Sequence, residues 1–281
     1  MKTLLYATDL RTESVSLLKY AYELSKQLNV KLIVVHVYDL PPVSIPGYLD
    51  DLKIDLKVSD EKRHALRAYC YQHLDTKASK NNNELQVEAV EDTSVINGIL
   101  SVARSVFADL ILVGTQGKYK KKALFAGNIA RSLVTKVAVP LMIVPHETKE
   151  LKIHTIVYAS ALESKDIMAL KTLAGIARPF LATIKVLHIS TKDEYESEEQ
   201  LLWFKELVQE YLNYKRIEYE VITSEDIFGA INKYVLDSKS DILAMLERKE
   251  RNLLRSLFHQ DLVKKMQTDL SIPLISFRMD E

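Results

Sequence analysis

The sequence predicts an α/β protein of two tandem open parallel-sheet domains, Rossmann-like, with helices on both faces of each sheet, packed as an intrachain pseudo-dimer. Three observations predict it. Strand-like and helix-like segments alternate along the chain, the same series of segments occurs twice, and 281 residues suit two cores of roughly 140 residues each.

The first series opens with "TLLYAT", a compact apolar run suited to a buried strand. In "TESVSLLKYAYELSKQL" Val15, Leu18, Ala21 or Tyr22, Leu24 or Ser25, and Leu28 recur at helical spacing, with Thr12 or Ser14 as N-cap. "KLIVVHVY" is nearly continuous apolar sequence, as expected of a strand covered on both faces. "DEKRHALRAYCYQHLDTKAS" then reads as a helix, "LQVEAV" as a strand, "VINGILSVARSV" as a helix, "ADLILVGT" as a strand, "NIARSLVTKVA" as a helix and "PLMIVP" as a strand. Alternation of this kind gives right-handed βαβ crossovers and a parallel sheet.

A polar segment, "HETKELKIH", follows, and the series begins again. "LLYATDLRTES" returns as "IVYASALES", "VVHVY" as "VLHIS", "ADLILVG" as "SDILAML" and "VAVPLMIV" as "LSIPLISF". Tyr6 and Tyr158 stand 152 positions apart, and so do His36 and His188. The chain is therefore an internal duplication, with expected domains at 1–146 and 151–281.

Composition narrows the function. With 38 Lys and Arg against 38 Asp and Glu, no bulk charge drives binding to nucleic acid or a membrane surface. Cys70 is the one cysteine, which excludes an intramolecular disulfide and a cysteine-clustered zinc site and fits a reducing compartment, so a cytoplasmic location is expected. Thr8 and Asp9 interrupt the opening apolar run before a signal-peptide core is complete, and no run approaches the ~20 apolar residues of a membrane span.

The chemistry concentrates in "VGTQGKYKKKALFAGNIARS", residues 113–132, which holds three of the seven glycines. Gly114 ends the fourth strand, Gly117 follows after two residues and Gly127 after nine more, at the entry to a helix. Glycine lets backbone N–H groups approach a ligand closely, and a helix N-terminus favours phosphate, so the segment reads as a phosphate cradle. In an open parallel sheet the ligand lies beyond the carboxyl ends of the strands, where the strand order reverses.

This glycine spacing, placed after the fourth strand of a duplicated α/β chain, resembles the ATP-binding members of the universal stress protein family. The resemblance implies an adenine nucleotide, ATP with or without Mg2+, in the first domain. Ala7, Thr8 and Asp9 match the strand end beside adenine and ribose, and Val37 matches a backbone position at the adenine edge. Gly114, Gln116, Gly117, Gly127, Asn128, Ile129 and Ala130 match positions around the ribose and phosphates. Asn128 stands where the family has a hydroxyl residue, and its amide can still donate or cap a helix. "VEDTSVINGIL" lacks the glycine and proline that many members carry before the third helix.

Other readings of these residues stay open. Asp9 either faces the ligand or caps the first helix, and Lys118, Lys120, Lys121 and Lys122 are either phosphate counter-charges or solvated. His36, His188 and Trp203 read as core residues. In the second domain Ala161 stands in place of Asp9 and Leu246 in place of Gly114; Lys249 falls at the second motif glycine, and His259 or Gln260 at the third. That half reads as a copy without the site. No catalytic set is found, and at most slow ATP hydrolysis is expected. The expected function is a stress-response protein acting through nucleotide-dependent interaction, with a homodimer and a further protein as expected partners; the alternative is a nucleotide-free interaction scaffold. The proline-bearing segment "DLPPVSIPGYLDDLKIDLKV" is expected to be a flap beside the site or a tolerated insertion.

Overall fold

A computed structural model describes residues 1–39, 51–74, 85–115, 126–190, 197–247 and 271–278, with only the backbone at 51–56, 126–128 and 197. The chain divides into two compact units, Met1–Leu133 with His146–Leu151, and Val134–Pro145 with Lys152–Glu281.

In the first unit the order is β1 (Thr3–Ala7), α1 (Val15–Leu28), β2 (Lys31–Tyr38), α2 (Asp51–His73), β3 (Leu85–Glu91), α3 (Val95–Ser105), β4 (Leu110–Thr115) and α4 (Ala126–Val134). Its strands lie in the order β3-β2-β1-β4, and every pair is parallel. The inner strands are near-continuous runs of Leu, Ile and Val because both faces are covered, and Leu4, Leu5, Leu110, Ile111 and Leu112 are fully buried. Each such side chain contributes about 1.5–3 kcal/mol of burial.

The second unit contains β5 (Leu141–Pro145), β6 (Thr155–Ala159), α5 (Asp166–Ala177), β7 (Thr183–Ser190), α6 (Ser197–Tyr211), β8 (Ile217–Thr223), α7 (Ile227–Asp237), β9 (Ile242–Glu247) and β10 (Leu274–Arg278). Its strand order is β5-β10-β9-β6-β7-β8. All pairs are parallel except β10 with β5, where Leu274 faces Ile143 and Ser276 faces Leu141 in antiparallel register. That pair joins the two copies of one sequence segment, "PLMIVP" and "PLISF", which periodicity alone does not orient.

The duplication extends to backbone detail. Leu10 and Leu162 have φ of 61° and 57°, Asn29 and Leu181 of 53° and 52°, and Phe107 and Lys239 of 50° each. Asp109 accepts the N–H groups of Lys2 and Thr3 at 2.6 and 2.9 Å, and Asp241 those of His154 and Thr155 at 2.7 and 2.9 Å. These six non-glycine residues in the left-handed region, counted among the described residues, are a cost that persists only where surrounding bonds determine the turn, and here each half holds the same turns in the same way.

Three element readings change. Helix α2 begins at Asp51, nine residues before the expected start, because no proline or glycine interrupts the chain between Asp51 and His73. Helix α4 begins at Ala126, so Gly127 lies inside its first turn. Trp203 is 46% exposed and not core, because Phe204 and Val208 supply the inward stripe of α6 and Trp203 lies about 100° round the helix from Phe204.

Candidate functional site

The chain passes from β1 to β2 and β3 on one side, then crosses back to β4 on the other, so the strand order reverses between β1 and β4. Ala7 is in register with Val35 of β2 and Val113 of β4. The carboxyl ends of β2, β1 and β4 therefore bring Val37, the Ala7-Thr8-Asp9 turn and Gly114 to one edge of the sheet, at the crevice where open α/β sheets take ligands.

The turn after β1 is fixed from several sides. The Thr8 N–H donates to the Val35 carbonyl at 2.9 Å, and Thr8 Oγ1 accepts the Leu10 N–H at 3.2 Å, which settles Leu10 in its left-handed conformation. His36 Nδ1 lies 3.0 Å from the Thr8 carbonyl. A carbonyl only accepts, so Nδ1 carries the proton. His188 repeats this contact with Ser160 at 3.0 Å, so the two histidines brace their loops as bonded neighbours of the first strand.

Asp9 is half-exposed at this turn. Its Oδ1 accepts the Arg11 N–H at 3.1 Å and the Ser14 hydroxyl at 2.6 Å, while Arg11 Nε lies 3.3 Å from Oδ2. Each carboxylate oxygen takes about two donors, so Oδ2 retains room for a hydroxyl. Asp9 thus both secures the approach to α1 and presents an acceptor to solvent.

Two further residues of this neighbourhood are not among the sequence's site candidates. Tyr69 of α2 donates its hydroxyl to the Arg11 carbonyl at 3.2 Å and packs edge-on to His73. Burial pushes its phenol up to about 12, with the Asp9 charge adding to the effect and a hydrogen bond to Thr8 opposing it. Tyr6 donates to the Ser14 carbonyl at 3.1 Å, and burial raises its phenol far above the ordinary value. Tyr6 is signalled by its repeat partner Tyr158, whereas nothing in the helical pattern of α2 distinguishes Tyr69.

Val37 is half-buried in β2 and packs beneath Gly98 of α3, where a Cβ would lie 2.7 and 2.8 Å from its two methyl carbons. Gly114 is the penultimate residue of β4 and is partly exposed. Ile129 is half-buried, but Ala130 is fully buried, so its side chain belongs to the core. Gly127 and Asn128 are described by backbone alone, in the first turn of α4, where the N–H groups have no intrahelical partner. Gln116, Gly117, the lysines at 118, 120, 121 and 122, and the segment 40–50 lie outside the described residues, as do Lys249, His259 and Gln260.

The equivalent place in the second unit is built differently. Ala161 replaces Asp9, and Asp166 replaces Ser14. Asp166 is fully buried and accepts the Tyr158 hydroxyl at 2.8 Å, the Ser160 hydroxyl at 2.7 Å and the Glu163 N–H at 3.1 Å. Gln200 of α6 donates to the carbonyls of Ala161 and Leu162 at 3.2 and 3.4 Å. Leu246, at the end of β9, is 6% exposed where β4 has Gly114. Side chains from α5 and α6 hold the turn after β6.

A parallel sheet whose strand order reverses between β1 and β4, with helices between the strands, is a doubly wound α/β domain. Residues 1–145, just over half of the chain, match the Universal stress protein family, and the chain belongs to that family. It is 24% identical over 150 residues to Universal stress protein MJ0531 of Methanocaldococcus jannaschii, covering 53% of this chain and 85% of that one. Over 98% of both chains the fold is similar to a universal stress protein from Archaeoglobus fulgidus, with a TM-score of 0.68 at 16% identity. A putative universal stress protein from Pseudomonas aeruginosa matches over 99% of this chain and 93% of its own, with a TM-score of 0.64 at 13% identity. At these identities the two solved structures bear on the fold. No helix among the described residues is long and apolar enough to cross a membrane.

Proposed function

We propose that the first unit binds ATP or a related adenine nucleotide and that occupancy changes what the protein contacts in a cytoplasmic stress response. The observation that carries this reading is the half-exposed Asp9 carboxylate, held at the switch point beside Gly114 with Oδ2 open to a further donor.

Each group has a part that follows from its chemistry. Asp9 accepts a ribose hydroxyl, Val37 offers backbone beside the base, and Gly114 lets a ligand approach the strand end. The first turn of α4, with Gly117, Gly127, Asn128 and Ile129, supplies N–H donors to phosphate oxygens. His36, Tyr6 and Tyr69 keep the turn in place so that Asp9 needs no rearrangement. Mg2+, where present, would neutralise phosphate charge. No carboxylate is assigned to activating water, so the reading is retention of nucleotide and not turnover.

The test is calorimetric titration with ATP, together with the mass of small molecules released when the purified protein is denatured. Wild type is expected to bind and Gly117→Val to lose binding while remaining folded; equal binding by both would overturn the assignment. Asn128 in place of a hydroxyl residue favours a second reading, a nucleotide-free interaction scaffold, in which neither protein binds.

A further inference from the structure

β3 and β8 are the terminal strands of their units' sheets, and among the described residues each has one unpaired backbone edge. Neither contains proline, so neither edge is blocked by a missing donor. Beside β3 lies an open cavity of about 420 Å³, lined by Arg63, Arg67 and Tyr71 of α2 and by Leu85 to Glu88. Arg63, Arg67 and Tyr71 are spaced i, i+4, i+8, so they form one stripe along the helix. Both arginines are exposed and have no ion-pair or hydrogen-bond partner among the described residues, and among the described residues lining the cavity Glu88 is the one carboxylate.

β8 has complementary chemistry. Glu218 and Glu220 are exposed and lie on one face, while Ile217, Tyr219 and Val221 alternate on the other, with Val221 at 37% exposure. Lys185 approaches Glu218 only loosely, at 3.8 Å, and Tyr234 stands beside Glu220, so both carboxylates keep accepting capacity. The spacings also agree. Four residues of helix rise about 6 Å, the separation of Arg63 and Arg67 along α2, and two residues of strand advance about 6.6 Å, the separation of Glu218 and Glu220.

We propose that the groove beside β3 receives β8 of a second copy of this chain, adding it as a strand while Arg63 and Arg67 pair with Glu218 and Glu220. The contact joins different surfaces of the two copies, so it is heterologous and continues into a ring or an open chain of protomers. It is independent of the nucleotide site, since none of these residues belongs to the turn after β1 or to the glycine segment.

Sedimentation and light scattering over a wide concentration range test it. Wild type at low salt is expected to exceed twice the 32.1 kDa protomer mass as concentration rises, and to dissociate towards the protomer as salt is added. R63E/R67E and E218K/E220K, each checked for folding by circular dichroism, are expected to remain at protomer mass. Mixed together they regain assembly, because every acidic groove then meets a basic strand and every basic groove an acidic one. A wild type that stays at protomer mass throughout, or charge-reversed variants that assemble as wild type does, would overturn the proposal; so would failure of the mixed variants to associate.

Discussion

Ser14 and Asp166 are equivalent residues 152 positions apart, yet each deals with its turn carboxylate in the opposite way. Ser14 donates to the half-exposed Asp9 across the turn at 2.6 Å. Asp166 is itself the carboxylate, fully buried and accepting from Tyr158, Ser160 and the Glu163 backbone. The duplication has kept a hydrogen-bonded turn in both halves while moving the carboxylate from a half-exposed position to the protein interior.

Asp9→Asn is expected to leave folding unchanged and to weaken ATP binding by roughly ten- to a hundredfold, the scale of losing a hydrogen bond to a charged acceptor at about 1.5–3 kcal/mol. Calorimetry measures it. An unchanged dissociation constant would assign Asp9 to holding the turn alone.

Asp166→Ala is expected to destabilise the second unit by about 3 kcal/mol, since three donors lose a shared buried acceptor. Ser14→Ala, at an exposed pair, costs less than about 1 kcal/mol. Urea unfolding of the two variants, followed by circular dichroism, should separate them clearly; equal midpoints would contradict the difference in burial.

Gly98 and Gly175 give a contrast in a single substitution type. A Cβ at Gly98 meets the Val37 methyls at 2.7 and 2.8 Å, whereas one at Gly175 meets nothing within 4 Å. Gly98→Ala is expected to cost about 1–3 kcal/mol by overpacking. Gly175→Ala, inside α5, is expected to gain about 0.5–1 kcal/mol from helix propensity. Thermal unfolding midpoints moving in opposite directions would bear this out, and movement in the same direction would contradict it.

Burial raises the Cys70 thiol from 9.0 to about 12 and the Tyr69 phenol from 10.0 to about 12. The fold therefore holds these protons more tightly than the unfolded chain does. Their contribution to stability is complete below pH 9, the ordinary thiol value, and is lost as pH rises through 9 to 12. The loss in that window should shrink in Tyr69→Phe, read by urea midpoints across the range. Cys70, being buried, should react with a thiol reagent at pH 8 only when the protein is unfolded.

Much of this architecture was legible in the sequence because buried parallel strands leave long apolar runs and the duplication supplies an internal control. The pairs Tyr6 with Tyr158 and His36 with His188 identify equivalent strands from the sequence alone, and both histidines make the same backbone contact. The antiparallel pairing of β5 with β10 was not legible, since apolar period carries no strand direction. Tyr69 was invisible because its partners, Thr8 and Arg11, are some 60 positions away in sequence. Trp203 misled because an apolar helix residue one step off the inward stripe has the same composition signal as a core residue.

One nucleotide per chain is expected, and the reason lies in how the second unit is filled. At its first strand Ala161 offers no acceptor in place of Asp9, and the Gln200 amide occupies the carbonyls of the turn. At the neighbouring strand Ala159 is in register with Met245, as Ala7 is with Val113, so Leu246 stands where Gly114 does and brings a largely buried side chain to the edge a ligand would need. Restoring the carboxylate alone should therefore not create a second site: the variant A161D/D166S, which copies the first unit's pattern, still carries Leu246. Titration of this variant and of wild type with ATP is expected to saturate at one equivalent per chain, with both losing binding when Gly117→Val is added. Saturation of wild type near two equivalents would overturn the asymmetry, and a second equivalent appearing only in A161D/D166S would show that the carboxylate, and not the glycine, limits the second unit.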